Sequence, residues 1–181
     1  MSGKLTLLSS ATASNSASVS FTSGIDSTYD EYVFYFVDID AATQQAYFAF
    51  QVNPDGGSGY NQQITSTAFY VQHDAANALG PTYETGSDQA NGTGYQYIGK
   101  NMSTAAKASL VGELHLYSPA STTRVKHFMA RTHNYEFSNP DPYAAEFYIS
   151  GYINTTSAID EIDFKMTSGN FDGNIYMFGV K

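Results

Sequence analysis

Residues 16–21 read SASVSF, so that Ala17, Val19 and Phe21 alternate with serines. An apolar side chain at every second position predicts a strand with one buried face and one face in water. Residues 31–39, EYVFYFVDI, are apolar on both faces and rich in aromatic and β-branched side chains. They predict a central strand that is either covered on both sides or has its outer face against a partner. These two stretches indicate an all-β fold.

Segments of the same character recur along the rest of the chain. Further strands are predicted at residues 45–52, 67–73, 95–98, 110–117, 124–132, 146–152, 159–166 and 174–180. The short link at residues 40–44 favours a hairpin between the strands that flank it, and residues 118–121 favour a second hairpin. The strongest helical candidate, at residues 103–109, is long enough for only a turn or two.

The strand pattern also predicts the architecture. We expect a single antiparallel β-sandwich, jelly-roll-like, with about ten strands, and a closed barrel is the alternative. A chain of 181 residues corresponds to one domain at roughly 150 residues per domain, so the sandwich is expected to span residues 1–181. Residues 1–15 are a candidate extended N-terminal arm.

The composition excludes several classes of partner and chemistry. Eight basic against 17 acidic residues leave a net charge of −9, and there is no cysteine. Such a chain lacks the basic footprint for nucleic acid, and an anionic membrane surface repels it. Disulfides, zinc–thiolate sites and thiol catalysis are ruled out. Since no secretion signal is evident, we expect the protein to be made in the cytoplasm and released by cell lysis, if at all.

Two of the four histidines, His115 and His127, fall on strands that are predicted to pair. A zinc site there would need a third ligand, for which Glu113 or Glu136 could serve. The spacing matches no short metal motif, so we interpret both histidines as ordinary strand residues. Nucleophile-elbow, phosphate-loop and dinucleotide motifs are absent from the sequence. We therefore predict no metal, no cofactor and no enzymatic activity.

Tyrosine is the most informative residue type, because many of the 15 tyrosines lie in or beside polar loops. Loops are predicted at residues 53–65, 79–94 and 134–143. Tyrosine offers a large contact area at low entropic cost together with a hydroxyl group, which suits protein interfaces and sugar stacking. The equal alternative is that these tyrosines fill the edges of a sandwich core. The candidate interface or ligand residues are Tyr60, Asn61, Tyr83, Tyr95, Tyr97 and Tyr143.

Three segments are similar, taken together, to a family of phage proteins. They are residues 22–34 (TSGIDSTYDEYVF), 123–131 (TRVKHFMAR) and 154–179 (NTTSAIDEIDFKMTSGNFDGNIYMFG). The combination resembles small virion-associated proteins and protein modules of tailed bacteriophages, especially marine and cyanobacterial phages. In that family a strand, a Ser-Gly-Asn turn and a last strand with an aromatic-glycine pair close the chain. The likeness spans residues 16–181, although Phe171 and Asn174 stand where a smaller aliphatic residue and a hydroxyl residue are frequent.

The resemblance implies a virion structural protein displayed on the particle surface, as a decoration or cement of the capsid. The alternative is a tail-fibre tip or receptor-binding module that recognises host-surface glycan. The expected partners are the major capsid protein and further copies of the chain, and a trimer is consistent with the local threefold sites of capsids. The expected location is the virion, assembled in the host cytoplasm. The resemblance implies no catalytic residues, and the matching positions are core strand residues and turn glycines, which specify a fold.

Overall fold

The computed structural model describes residues 4–138 and 142–181, which form twelve strands in two antiparallel sheets. The strands are β1 (Thr6–Ser16), β2 (Ser18–Phe21), β3 (Glu31–Ala41), β4 (Phe48–Pro54), β5 (Ile64–His73), β6 (Ala78–Tyr83), β7 (Gln96–Gly99), β8 (Leu110–Tyr117), β9 (Lys126–Glu136), β10 (Tyr143–Ile153), β11 (Ile159–Met166) and β12 (Phe171–Val180). None of the described residues belongs to a helix that is long and apolar enough to cross a membrane.

The two sheets form a sandwich with jelly-roll connectivity. The large sheet has the order β1-β12-β3-β8-β9-β10-β5-β6, and the small sheet has the order β2-β11-β4-β7. When β5, β6, β9 and β10 are left out, the chain changes sheet at every step except from β4 to β7. In this arrangement β1, β12, β3 and β8 face β2, β11, β4 and β7, as in a jelly roll. The pairs β5–β6 and β9–β10 are insertions that widen the large sheet. The predicted antiparallel sandwich is therefore confirmed, and the described strands do not close into one barrel.

Two strands were not predicted from the sequence. β1 covers most of the candidate N-terminal arm and pairs with β12 from Thr6 to Ser16, so this segment is an edge strand of the large sheet. β6 lies in the predicted loop 79–94 and pairs with β5. Both strands are mostly exposed and lack a regular apolar alternation, which explains why their own residues carry little strand signal.

One of the two expected hairpins is present. β8 and β9 pair directly across the turn after Tyr117, as predicted. The hairpin across residues 40–44 is wrong, because β3 pairs with β12 and β8 while β4 pairs with β11 and β7. The short link crosses from the large sheet to the small one, and link length alone does not distinguish a hairpin from such a crossing. Residues 103–109 form a turn, with Ala108 N donating to Ala105 O at 2.7 Å.

The core is a cluster of phenylalanines between the two sheets. Phe164 of β11 is fully buried, and its ring centroid lies 5.3 Å from that of Phe36, 5.4 Å from that of Phe34 and 6.0 Å from that of Phe48. The inward face of β3 therefore packs against the small sheet. This packing accounts for one of the two apolar faces that the sequence of β3 displays.

Gly151 permits close packing between β10 and β5. A Cβ atom built there would lie 2.8 Å from Ser66 Cβ, 2.9 Å from Phe128 Cζ and in collision with Thr65 O. We expect Gly151→Ala to lower the free energy of unfolding by about 2 kcal/mol or more, because the strands must separate to admit the methyl group. Urea denaturation will measure this. The matched control is Gly94→Ala, which meets no atom within 4 Å; equal effects of the two substitutions would contradict the expectation.

Candidate binding face

The predicted tyrosines of the loops are largely used within the protein. Tyr60 donates to Glu161 Oε2 at 3.1 Å, and Tyr95 donates to Asp163 Oδ2 at 2.8 Å, so these two tyrosines lie over neighbouring outward positions of β11. Burial, together with the hydrogen bond to Asp163, raises the pKa of Tyr95 well above its ordinary value. Both phenols are half-buried and hold loops onto the small sheet.

The other four candidates are divided between the two sheets. Tyr83 of β6 is 53% exposed and donates to Asp88 Oδ2 at 2.7 Å. Tyr97 of β7 packs against Tyr47 with ring centroids 5.0 Å apart, and Tyr143 begins β10. Asn61 is exposed in the loop between β4 and β5. Tyr60, Asn61, Tyr95 and Tyr97 thus lie over or beside the small sheet, whereas Tyr83 and Tyr143 belong to strands of the large sheet. The six candidates do not form one common site.

Two of the predicted binding loops cover the outside of the small sheet. Gln51 of β4 is fully buried there, and its Nε2 donates to Gln62 O at 3.0 Å and to Gly94 O at 2.9 Å. These hydrogen bonds fasten the loops on either side of β5 and β6 to the small sheet. The third predicted loop is shorter than expected, because β9 extends to Glu136 and β10 starts at Tyr143; residues 139–141 of that prediction lie outside the described residues.

The outside of the large sheet, which we call the open face, has no such cover among the described residues. Alternation along the strands places on it six of the eight large hydrophobic residues that the described chain exposes. They are Leu7, Val37, Phe69, Tyr83, Val111 and Met129, with exposures from 38% to 55%. Exposed apolar groups concentrated on one face indicate an interaction surface, whereas isolated ones need no explanation.

A groove of about 370 Å³ crosses the middle of the open face. On one side Phe69 and Tyr148 stack in parallel, with ring centroids 4.9 Å apart and an interplanar angle of 9°. The guanidinium of Arg131 lies 5.5 Å from the Tyr148 ring centroid and pairs with Glu146 at 2.5 Å. Met129 and Tyr117 line the other side. The groove therefore combines apolar walls with a few charged groups, as ligand sites do.

Glutamates flank His115 on the floor of this groove. The Nδ1 atom of His115 bonds to Glu31, and its Nε2 atom lies 3.6 Å from Glu113 Oε2. His115 lies opposite Met129, and His127 lies beside Tyr152 of β10, so the two histidines are not cross-strand partners. Among residues 4–138 and 142–181, no three His, Asp or Glu side chains converge to hold a metal ion.

Glu136, the other suggested zinc ligand, points into the protein and not toward His115. It is 5% exposed, and Asn101 Nδ2 donates to its Oε1 at 3.2 Å, while no described residue gives its Oε2 a hydrogen bond. Burial raises the pKa of Glu136 above its ordinary value, although the hydrogen bond from Asn101 opposes the shift. A buried carboxylate whose desolvation is not fully offset by hydrogen bonds weakens the folded state when it is charged.

This burial has a pH-dependent consequence. The folded state holds the Glu136 proton more tightly than the unfolded state, so stability falls as pH rises from the ordinary pKa through the raised one. We expect Glu136→Gln to be more stable than the wild type at pH 7, and the difference to vanish below the ordinary pKa of a glutamate. Thermal unfolding at a series of pH values measures it.

A control of opposite sign is available at Asp26. Hydrogen bonds from Thr28 lower the pKa of Asp26, with Thr28 N donating to its Oδ1 at 2.7 Å. Asp26→Asn should therefore destabilise the protein at pH 7, with a difference that shrinks as pH falls from the ordinary pKa of Asp26 through the lowered one. If Glu136→Gln destabilises the protein at pH 7, as Asp26→Asn is expected to do, the assignment for Glu136 is wrong.

The site residues that the sequence missed are strand residues of the open face. Val37 and Tyr35 were part of the stretch that is apolar on both faces, which was the available signal.

Comparison with protein families, with curated protein sequences and with solved structures finds no match to this chain.

Proposed function

We propose that the protein is a structural component of a tailed-bacteriophage virion and that its open face attaches it to the particle, with capsid decoration preferred to a place in the tail. The observation that carries the proposal is the concentration of exposed apolar side chains on one face of the large sheet. The phage assignment itself rests on the sequence resemblance. We propose no catalytic role for the chain.

The composition of the open face supports a protein partner. Interface centres are enriched in aromatic residues, methionine and arginine and depleted of lysine. The open face carries Met129, Arg131, Phe69 and Tyr148, and the one lysine in the strands of the large sheet, Lys126, is buried on the inner side. A surface of this kind fits a mixed apolar and polar patch on the major capsid protein. Further copies of this chain are the second proposed partner, and a trimer at local threefold sites is the proposed form.

Immunolabelling of intact phage particles tests the proposal. An antibody against this chain, imaged by electron microscopy, should label the whole head at a copy number that scales with the shell. Label confined to the tail tip would replace capsid decoration by receptor binding. Particles without any label would overturn the virion assignment altogether.

The groove favours glycan recognition as a second candidate function. Aromatic rings beside hydrogen-bonding side chains suit sugars, and the groove offers Tyr148, Phe69 and Tyr117 together with Arg131 and Glu113. Binding of the chain to a glycan array, lost in Tyr148→Ala, would support this function at a tail-fibre tip. An array without any binding would exclude the glycans tested and leave attachment to a protein as the function of the face.

A further inference from the structure

The large sheet ends in a long strand, and no other described strand pairs with its outer edge. β1 has 11 residues and pairs only with β12 among the described strands. The other three edge strands offer a shorter or less regular edge for pairing with a further strand. β2 and β7 have four residues each, and the six residues of β6 include Pro81 next to a break in register. Proline and irregular register are two of the ways in which proteins block an edge from further pairing.

The composition of β1 leaves its edge without such protection in the middle. Its sequence, TLLSSATASNS, contains no charged residue and no proline. Pairing with β12 is irregular at Leu7–Ser9 and at Ala13–Ser16, but regular from Ser9 to Ala13. Five residues are a typical strand length, so this central part is long enough to add one more strand.

We propose that a second copy of this chain pairs with β1 in antiparallel orientation, along Ser9–Ala13 and about a two-fold axis near Ala11. The strand is its own complement in this arrangement, because a two-fold axis places each residue opposite the one symmetric to it. Ser10 of one copy then faces Thr12 of the other. The two large sheets join into one, and the open faces of both copies form a continuous surface.

The charges at the ends of β1 agree with antiparallel pairing. Lys4 precedes the strand, and Asp172 lies at its far end, where Asn15 N donates to the Asp172 carboxylate at 2.7 Å. Antiparallel copies bring the Lys4 end of each chain to the Asp172 end of the other. A net charge of −9 repels copies over most of the surface, and β1 is a part of that surface without charge.

This inference rests on the self-association included in the proposed function, and not on the position in the virion. It adds a second contact between copies and predicts a two-fold dimer in solution. In the virion this contact would join chains of neighbouring trimers. Particle labelling is therefore independent of it: a labelled capsid with a monomeric protein would retain the proposed function and remove the dimer.

Light scattering after size-exclusion chromatography tests the pairing. The wild-type chain should elute as a dimer. Ser10→Lys with Thr12→Lys sets four ammonium groups along the junction, and Ser10→Glu with Thr12→Glu sets four carboxylates there, so each variant should be a monomer. An equimolar mixture of the two variants should form a heterodimer. The control is Thr122→Lys with Thr123→Lys, at exposed positions after β8, which should remain a dimer.

Three results would overturn the proposal. The first is a monomeric wild type at the highest concentration at which the protein stays soluble. The second is a dimer that persists in both charged variants, which would place the contact elsewhere. The third is the lack of a heterodimer in the mixture, provided that circular dichroism shows both variants to be folded.

Discussion

Phe164→Ala is expected to lower the free energy of unfolding by about 3–5 kcal/mol, enough to unfold a protein of ordinary stability at slightly raised temperature. The side chain is fully buried between the sheets and contacts phenylalanines from both. Phe34 and Phe36 belong to the large sheet and Phe48 to the small one, so the cavity would open where the two sheets meet. Neighbouring rings fill such a space only in part, because each is held by its own strand.

The matched control is Phe69→Ala on the open face. Phe69 is 41% exposed and its main contact is the stacked ring of Tyr148, so its loss should cost about 1 kcal/mol. Urea denaturation at one temperature measures both changes. Losses of similar size would show that Phe164 is not the centre of the core.

The second large effect concerns attachment to the particle. Val111 and Met129 are 42% and 55% exposed near the centre of the open face. We expect Val111→Glu with Met129→Glu to weaken incorporation into particles by about a hundredfold or more, because a carboxylate buried in an interface without a partner costs several kcal/mol. The free energy of unfolding should change by no more than about 0.5 kcal/mol per site, since neither side chain is buried in the chain itself.

The control for attachment carries the same charge elsewhere. Ala90→Glu with Thr93→Glu adds two carboxylates to an exposed loop over the small sheet. The copy number on purified particles, measured by quantitative mass spectrometry, should be unchanged for this pair. Equal incorporation of all three proteins would contradict a role for the open face, and equal losses in both variants would indicate a general effect of charge.

Much of the fold could be predicted from single stretches of sequence. The alternation around Val19 and Phe21 records a buried and a solvent-facing side, and the structure has β2 there with the same alternation. β1 and β6 could not be found in this way, because edge strands with mostly exposed side chains need no apolar period. The strand conformation of β1 depends on hydrogen bonds to β12, which is far away in the sequence. That of β6 depends on hydrogen bonds to β5, which lies on the other side of a loop.

The candidate site also combines features that local sequence shows with features that depend on residues remote in the sequence. Loop tyrosines such as Tyr60 and Tyr95 matched the composition of binding surfaces, but their carboxylate partners on β11 are 101 and 68 residues away in the sequence. Local composition therefore could not show that both hydroxyl groups are hydrogen-bonded within the chain. The residues that do form an open surface, such as Met129 and Phe69, come from strands whose order no local pattern records.

The sequence by itself determined that the chain is all-β, acidic and free of cysteine, and that β3 is apolar on both faces. Acidity and the lack of cysteine are counts over the whole chain, and the strand patterns lie within single segments, so none of these properties requires knowledge of how the strands pair. The tertiary structure decided that Phe34 and Phe36 face the small sheet, while Tyr35 and Val37 face outward, where the described residues provide no covering layer. That outcome depends on which strands pair across the whole chain, because the cover over a strand is supplied by residues that are remote in sequence.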